Sequence, residues 1–108
     1  MERFDVLYKK IEDFVKDRDW RKFHTPCNLS KSICLEAAEL LECFQWDNDN
    51  FNLEDLKDEL ADVFIYCIQM SQVLNLDILE VASKKMDKNA LKYPIEKAKS
   101  SSTKYDKL

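Results

Sequence analysis

Two short segments place acids where a packed helix would exclude them. LEAAELLECFQW (35–46) carries Glu36 and Glu39, and DELADVFIY (58–66) carries Glu59 and Asp62. Members of each pair lie about 60° apart on a helix that turns 100° per residue. Counted from Glu36, the side chains of Ile33, Ala37, Leu40 and Phe44 fall about 40–100° round the axis, an apolar stripe with the acid on its margin. Counted from Glu59, residues Leu56, Leu60, Val63 and Cys67 repeat that stripe, with Asp62 about 60° to the other side. A lone carboxylate is costly to desolvate, so two matched pairs at two core margins require a partner. Packed as a hairpin, the helices would bring four carboxylates together at one end of a groove, where each raises the pKa of the others. A hard divalent cation removes that repulsion, and oxygen-only ligands select Mg²⁺ or Mn²⁺ over zinc or copper. The alternative for these four residues is a solvated face paired with Lys31, Lys57 or Lys85.

Aromatic residues follow the acids at heptad spacing. Trp46 comes seven residues after Glu39 and Tyr66 seven after Glu59, each within about 20° of the acid's direction and two turns further on. Such a wall suits a flat base lying beside its phosphates, since stacking on an aromatic stabilises a base by about 1–3 kcal/mol. As plain packing, Trp46 ends a helix and Tyr66 fills a gap in a bundle.

Four helical segments must position these groups, and no stretch alternates as a strand does. The first covers about residues 2–17, with Phe4, Leu7, Tyr8, Ile11, Phe14 and Val15 at helical spacing. The connector RDWRKFHTPCN holds Pro26 and the candidate caps Thr25 and Asn28, and a second helix is expected over about 29–45. After the turn-rich DNDNFN loop, Asn52 caps a third helix of about 53–74, with Glu54 and Asp55 at its positive end. Asp77 and Glu80 form a capping box for a fourth helix of about 78–92, which Pro94 stops. The Lys- and Ser-rich remainder, 94–108, reads as a polar tail. Short links favour antiparallel neighbours, so the expected architecture is an all-α four-helix bundle in a single domain, 1–108, with apolar flanks suited to oligomerisation.

Composition narrows the chemistry. The chain contains 108 residues, 45% hydrophobic and 35% charged, with a net charge of −4. There is no glycine, which excludes the phosphate-cradling loops of Walker and dinucleotide-binding motifs. Any phosphate handled here must be met by metal ions and cationic side chains. No basic stripe offers a surface to duplex nucleic acid. The longest apolar run, VFIYCI, is far below the roughly 20 residues that span a membrane, and MERFDVLYKK has no secretion-signal pattern. A cytoplasmic location follows as an expectation. The four cysteines form no CxxC pair and there is one histidine, His24, so reduced, structural thiols are expected and a zinc site is not.

Taken together, the ExxE and ExxD pairs resemble the signature of the MazG-like, all-α nucleoside triphosphate pyrophosphohydrolases. RDWRKFHTPCNL (18–29), FQW (44–46), ELADVFIY (59–66) and KMDKNALKYPIEKAKSSSTKYDKL (85–108) further resemble the dCTP pyrophosphatase branch, so the likeness covers most of the chain from Arg18 onward. The resemblance implies a helical bundle assembled as homodimers or homotetramers, with sites shared between subunits, and Mg²⁺-dependent cleavage of a nucleoside triphosphate into a monophosphate and pyrophosphate. It implies Glu36, Glu39, Glu59 and Asp62 as metal ligands, with Glu36 or Glu39 as the general base. Trp20, His24, Trp46 and Tyr66 would line the base and sugar pocket, and Lys85, Asn89 and Tyr93 would contact the phosphates. Two departures stand out. The family often shows GExGE where this chain has LEAAE, and a branch arginine before Tyr-Pro is here Lys92, which gives up bidentate phosphate binding.

The expected reaction is therefore dCTP, or a base-modified dCTP, plus water to dCMP plus pyrophosphate, in clearance of the nucleotide pool. The alternatives are the same reaction on dUTP, dTTP or a damaged purine triphosphate, and a non-catalytic nucleotide-binding helical module.

Overall fold

The computed structural model describes residues 2–108, and among them every regular element is helical. Four long helices follow one another: α1 (Arg3–Asp17), α2 (Pro26–Glu42), α3 (Leu53–Leu74) and α4 (Ile78–Lys92). A short α5 (Ile95–Ala98) and two single 3₁₀ turns, Arg21–Phe23 and Tyr105–Lys107, complete the chain. The all-α expectation holds, with a fifth, one-turn helix inside what the sequence presents as a tail. The chain divides into two compact units, one ending at Leu76 and the other Asp77–Leu108.

Within the first unit, α2 and α3 form the most extensive pairing and α1 packs on α3. Local chemistry sets the boundaries. The Thr25 hydroxyl accepts from the Asn28 backbone N–H at 3.1 Å and Pro26 fills the first helical position, whose N–H would be unpaired in any case. As a result α2 starts three residues before the expected 29. It also stops three residues before the expected 45. Cys43, Phe44 and Gln45 donate three residues back, to Leu40, Leu41 and Glu42, tightening the end into a 3₁₀ turn. Asn52 and Asp77 accept from the backbone N–H groups of Asp55 and Glu80, and they start α3 and α4 at the positions expected of them.

Without glycine, left-handed backbone falls to other residues. Asp19 (φ 53°) and Asn75 (φ 55°) take it where α1 and α3 end. In both places the next residue donates five back, Trp20 to Val15 at 3.1 Å and Leu76 to Ser71 at 2.9 Å, closing the last turn. Small polar side chains tolerate this conformation better than others, at a modest cost relative to glycine.

The fully buried side chains are few. Val15 of α1, Leu29 of α2 and Ile68 of α3 are the innermost apolar residues, joined by Ile11. Ile68 lies in the C-terminal half of α3, where Gln69, Ser71 and Gln72 are buried as well. Ser71 donates to the Ile68 carbonyl at 2.6 Å, and Gln72 Nε2 ties α3 to α1 through the Tyr8 carbonyl at 3.0 Å. The stripes expected to be buried beside the acids are only partly covered in the single chain. Ile33, Leu40, Phe44, Leu56, Val63 and Cys67 are half-buried, whereas Ala37 and Leu60 are exposed. The N-terminal half of α3 simply has less packed against it.

The second unit holds α4, α5 and the terminal 3₁₀ turn. Tyr105 meets Tyr93 edge-on, with ring centres 6.1 Å apart, and the Lys92 ammonium lies 4.9 Å from the Tyr105 ring. These contacts fold the polar tail back on the end of α4.

Candidate metal and nucleotide site

The α2–α3 hairpin brings the acidic pairs together. Carboxylate oxygens of Glu36, Glu59 and Asp62 all lie within 4.8 Å of one another. Glu39 lies close enough to act on both Glu36 and Glu59. Going up α2 from 36 to 39 thus corresponds to going down α3 from 62 to 59, as an antiparallel hairpin closed by the 43–52 loop requires. In that loop the Asp47 carboxylate accepts from the Asp49 and Asn50 N–H groups, and Phe44 packs on Phe51 with ring centres 4.9 Å apart.

Electrostatics at the cluster are those of unrelieved crowding. Glu36 is raised from 4.5 to about 7, first by burial and then by its contact with Glu39 and by the Asp62 and Glu59 charges. Glu59 is raised chiefly by its contact with Glu39, and by burial after that. Tyr66, one turn beyond Asp62, is raised by burial and by the charges of Glu36, Asp62 and Glu39. The Glu36 and Glu59 Oε2 atoms are buried without a hydrogen-bond partner among the described residues. Buried carboxylate oxygens without donors require a cation or a proton. Nor do lysines supply the charge. The ion pairs of the described residues are Lys9–Asp13, Lys22–Asp19, Lys57–Glu54 and Lys84–Glu80. Lys57 therefore serves Glu54 and leaves the cluster alone, and Lys31 pairs with none of the four acids among the described residues. An all-oxygen donor set with two unpartnered atoms fits a hard divalent cation.

A pocket of about 430 Å³ opens directly beside the cluster. Asp62, Ile65, Tyr66 and Gln69 of α3 form one wall, and Leu7, Lys10, Ile11 and Phe14 of α1 with Trp20 form the other. Trp20 meets Phe14 edge-on at 5.7 Å between ring centres, and the Arg18 guanidinium lies over the Phe14 ring, 3.6 Å from its centre. Trp20 and Tyr66 thus fall in one pocket with a cluster carboxylate. His24 closes the 3₁₀ turn through its N–H to the Arg21 carbonyl at 3.0 Å. Its pKa is lowered by burial and by Arg21.

Trp46 is placed differently from its heptad expectation. Because α2 ends at Glu42, the angular count from Glu39 no longer applies, and Trp46 stands 90% exposed in the loop. Conversely, Phe14, Lys10 and Gln69 line the pocket although sequence spacing alone gave no reason to choose them. Their relevance depends on how α1 crosses α3.

In the second unit, Lys85 and Lys92, two turns apart, share a face of α4 and repel each other. The Lys85 ammonium is held below its usual range, first by Lys92 and, after burial, by Lys88. Asn89 is half-buried on the same helix, and the Tyr93 N–H donates to the Asn89 carbonyl at 2.9 Å. Repelling ammonium groups are the mirror image of the acidic cluster and suit a polyanion. Lys88 and Lys92 belong to this cationic group together with Lys85.

Residues 31–108 match the MazG-like family, and the chain belongs to that family. Among curated relatives, human dCTP pyrophosphatase 1 is 36% identical over 105 residues, spanning 89% of this chain and 62% of the relative. The mouse protein of the same name is 33% identical over the same shares. This chain therefore spans about three-fifths of the length of the curated relatives it matches. Among solved structures, a pyrophosphatase from Archaeoglobus fulgidus superposes with a TM-score of 0.81 at 35% identity, covering 87% of this chain and 94% of that one.

Proposed function

We propose that the chain is a nucleoside triphosphate pyrophosphohydrolase that uses Mg²⁺, or Mn²⁺ in its place, to convert dCTP, including base-modified dCTP, into dCMP and pyrophosphate. The observation that carries the reading is the Glu36–Glu59–Asp62 oxygen cluster within 4.8 Å, with two buried, unpartnered oxygens. The names of the curated relatives supply the substrate. In this reading residues 1–108 act as one catalytic domain, assembled as a homodimer or homotetramer through the apolar residues that the single chain leaves exposed.

Glu36, Glu39, Glu59 and Asp62 would hold the ion. When bound, Mg²⁺ supplies neutralisation of the triphosphate and activation of a water for attack. Glu36 or Glu39 would take the proton of the attacking water as its oxygen bonds to the α-phosphorus and the bond from the α-phosphorus to the bridging oxygen breaks. The cationic group of Lys85, Lys88 and Lys92 suits the charge of the departing pyrophosphate, with Asn89 and Tyr93 as hydrogen-bonding partners. Trp20 and Tyr66 enclose the base, with His24 and Trp46 as further contacts to base or sugar.

A panel of nucleoside triphosphates, incubated with Mg²⁺ or with chelator, tests the proposal through its products. The expected outcome is dCMP plus pyrophosphate from dCTP, abolished by chelation and by Glu39→Ala. Turnover of dUTP, dTTP or a damaged purine triphosphate in preference to dCTP would keep the reaction and replace the substrate. Binding without release of pyrophosphate from any nucleotide would refute the enzyme reading in favour of a nucleotide-binding module.

A further inference from the structure

Three polar side chains are buried in the C-terminal half of α3, and two of them have structural work. Ser71 donates to Ile68, and Gln72 donates to Tyr8. The third, Gln69, is 7% exposed, and its Oε1 atom has no partner among the described residues. An unpaired buried amide oxygen is rare in folded proteins because it loses its water without compensation. Gln69 also lines the pocket that holds Asp62, Tyr66 and Trp20. Gln69 is thus short of a hydrogen-bond donor at its buried oxygen, and its side chain forms part of the wall of the pocket beside the acidic cluster.

We propose that Gln69 is a specificity-determining residue, whose amide oxygen accepts a hydrogen bond from the exocyclic amine of a cytosine ring lodged between Trp20, Phe14 and Tyr66. This rests on the nucleotide reading above and adds to it the group that recognises the base. The pocket is mostly apolar with few polar atoms, as binding sites for flat rings are. In such a pocket an apolar wall cannot separate rings of similar size, whereas a buried hydrogen-bonding group rejects a ring that fails to satisfy it. Cytosine offers an N4 amine donor next to the N3 acceptor, and a side-chain amide can meet both, its oxygen to the amine and its NH₂ to N3. Asp62 belongs both to this pocket and to the carboxylate cluster. A base seated there has its phosphates near the cluster without the pocket having to extend.

The test compares dCTP with the 2-pyrimidinone deoxyribonucleoside triphosphate, which keeps N3 but lacks the amine. Wild-type protein should favour dCTP in kcat/KM by about tenfold or more. In Gln69→Met, which conserves volume, and in Gln69→Asn, which shortens the reach by one methylene, that ratio should fall toward one, mainly by loss on dCTP. A ratio unchanged in both variants, with melting temperatures near wild type, overturns the proposal, as does a wild-type ratio near one. If the wild type releases no pyrophosphate from any nucleotide, the enzyme reading fails separately. Calorimetric binding of deoxycytidine and of its amine-less analogue then decides on Gln69. Discrimination by wild type that is lost in Gln69→Met supports the proposal, and absence of binding overturns it.

Discussion

Replacing Glu36 by glutamine removes the most perturbed charge of the cluster while keeping its shape, and the consequence for stability can be worked out in advance. Glu36 titrates at about 7 in the folded chain against 4.5 ordinarily. The folded state therefore holds a proton that the unfolded state has already released between those values. Stability tied to this group is fully present below pH 4.5 and is lost as pH rises through about 7. The full shift corresponds to about 3 kcal/mol at 1.36 kcal/mol per unit. Glu36 is only half-buried and partly screened by solvent, so about 1–2 kcal/mol is the realistic share. For a domain of this size that amounts to roughly 5–10 °C in Tm. Thermal unfolding of metal-free protein followed by circular dichroism should show wild type losing stability from pH 5 to 8. Glu36→Gln should lose little over that range and melt above wild type at pH 8. Adding Mg²⁺ at pH 8 should restore the wild type and do little for the variant. A flat wild-type profile, or equal stabilisation of both proteins by Mg²⁺, would refute the claim that crowded carboxylates at this position await a cation.

Other perturbations address the scaffold. Ile68→Ala empties the most completely buried large side chain of α3 and should cost about 2–5 kcal/mol in denaturant unfolding. Asn75→Ala puts a Cβ without a compensating polar group into left-handed backbone at the end of α3 and should cost about 1 kcal/mol, with Asn75→Gly close to neutral, both read from the denaturant midpoint. Trp46→Ala, at a 90% exposed position, should change Tm by no more than about 1–2 °C, the effect usual for surface positions.

Legibility followed the range of the interactions. The starts of α3 and α4 could be read because Asn52 and Asp77 bond three residues ahead, wholly within the local chain. The juxtaposition of Glu36 with Glu59 and Asp62 was also readable, since helical periodicity fixes the faces and a short loop fixes the hairpin. Helix α2 departs from its expected bounds at both ends, for two reasons. A proline at the first helical position extends a helix backwards from the expected cap, and nothing in FQW announces the tightened turn that ends it. The early end of α2 is what puts Trp46 in the loop. Gln69 was invisible for another reason: on α3 it reads as one polar residue among several, and only the crossing of α1 buries it. The half-covered stripes beside the acids likewise depend on what packs against them, which no periodicity within one helix can reveal.

Helix α3 is continuous over 22 residues yet unevenly supported along its length. From Ile68 to Gln72 it is locked into the core, whereas around Leu60 its surroundings are open. Amide hydrogen exchange should grade accordingly, slow at the C-terminal end through near-global opening and fast through local fraying near Glu59 and Asp62. The clustered acids of α3 thus ride on the less protected half of a helix clamped at the other end. Part of the free energy of ligand binding must be spent on ordering that half, and tighter binding will register as slowed exchange two to three turns away from the core.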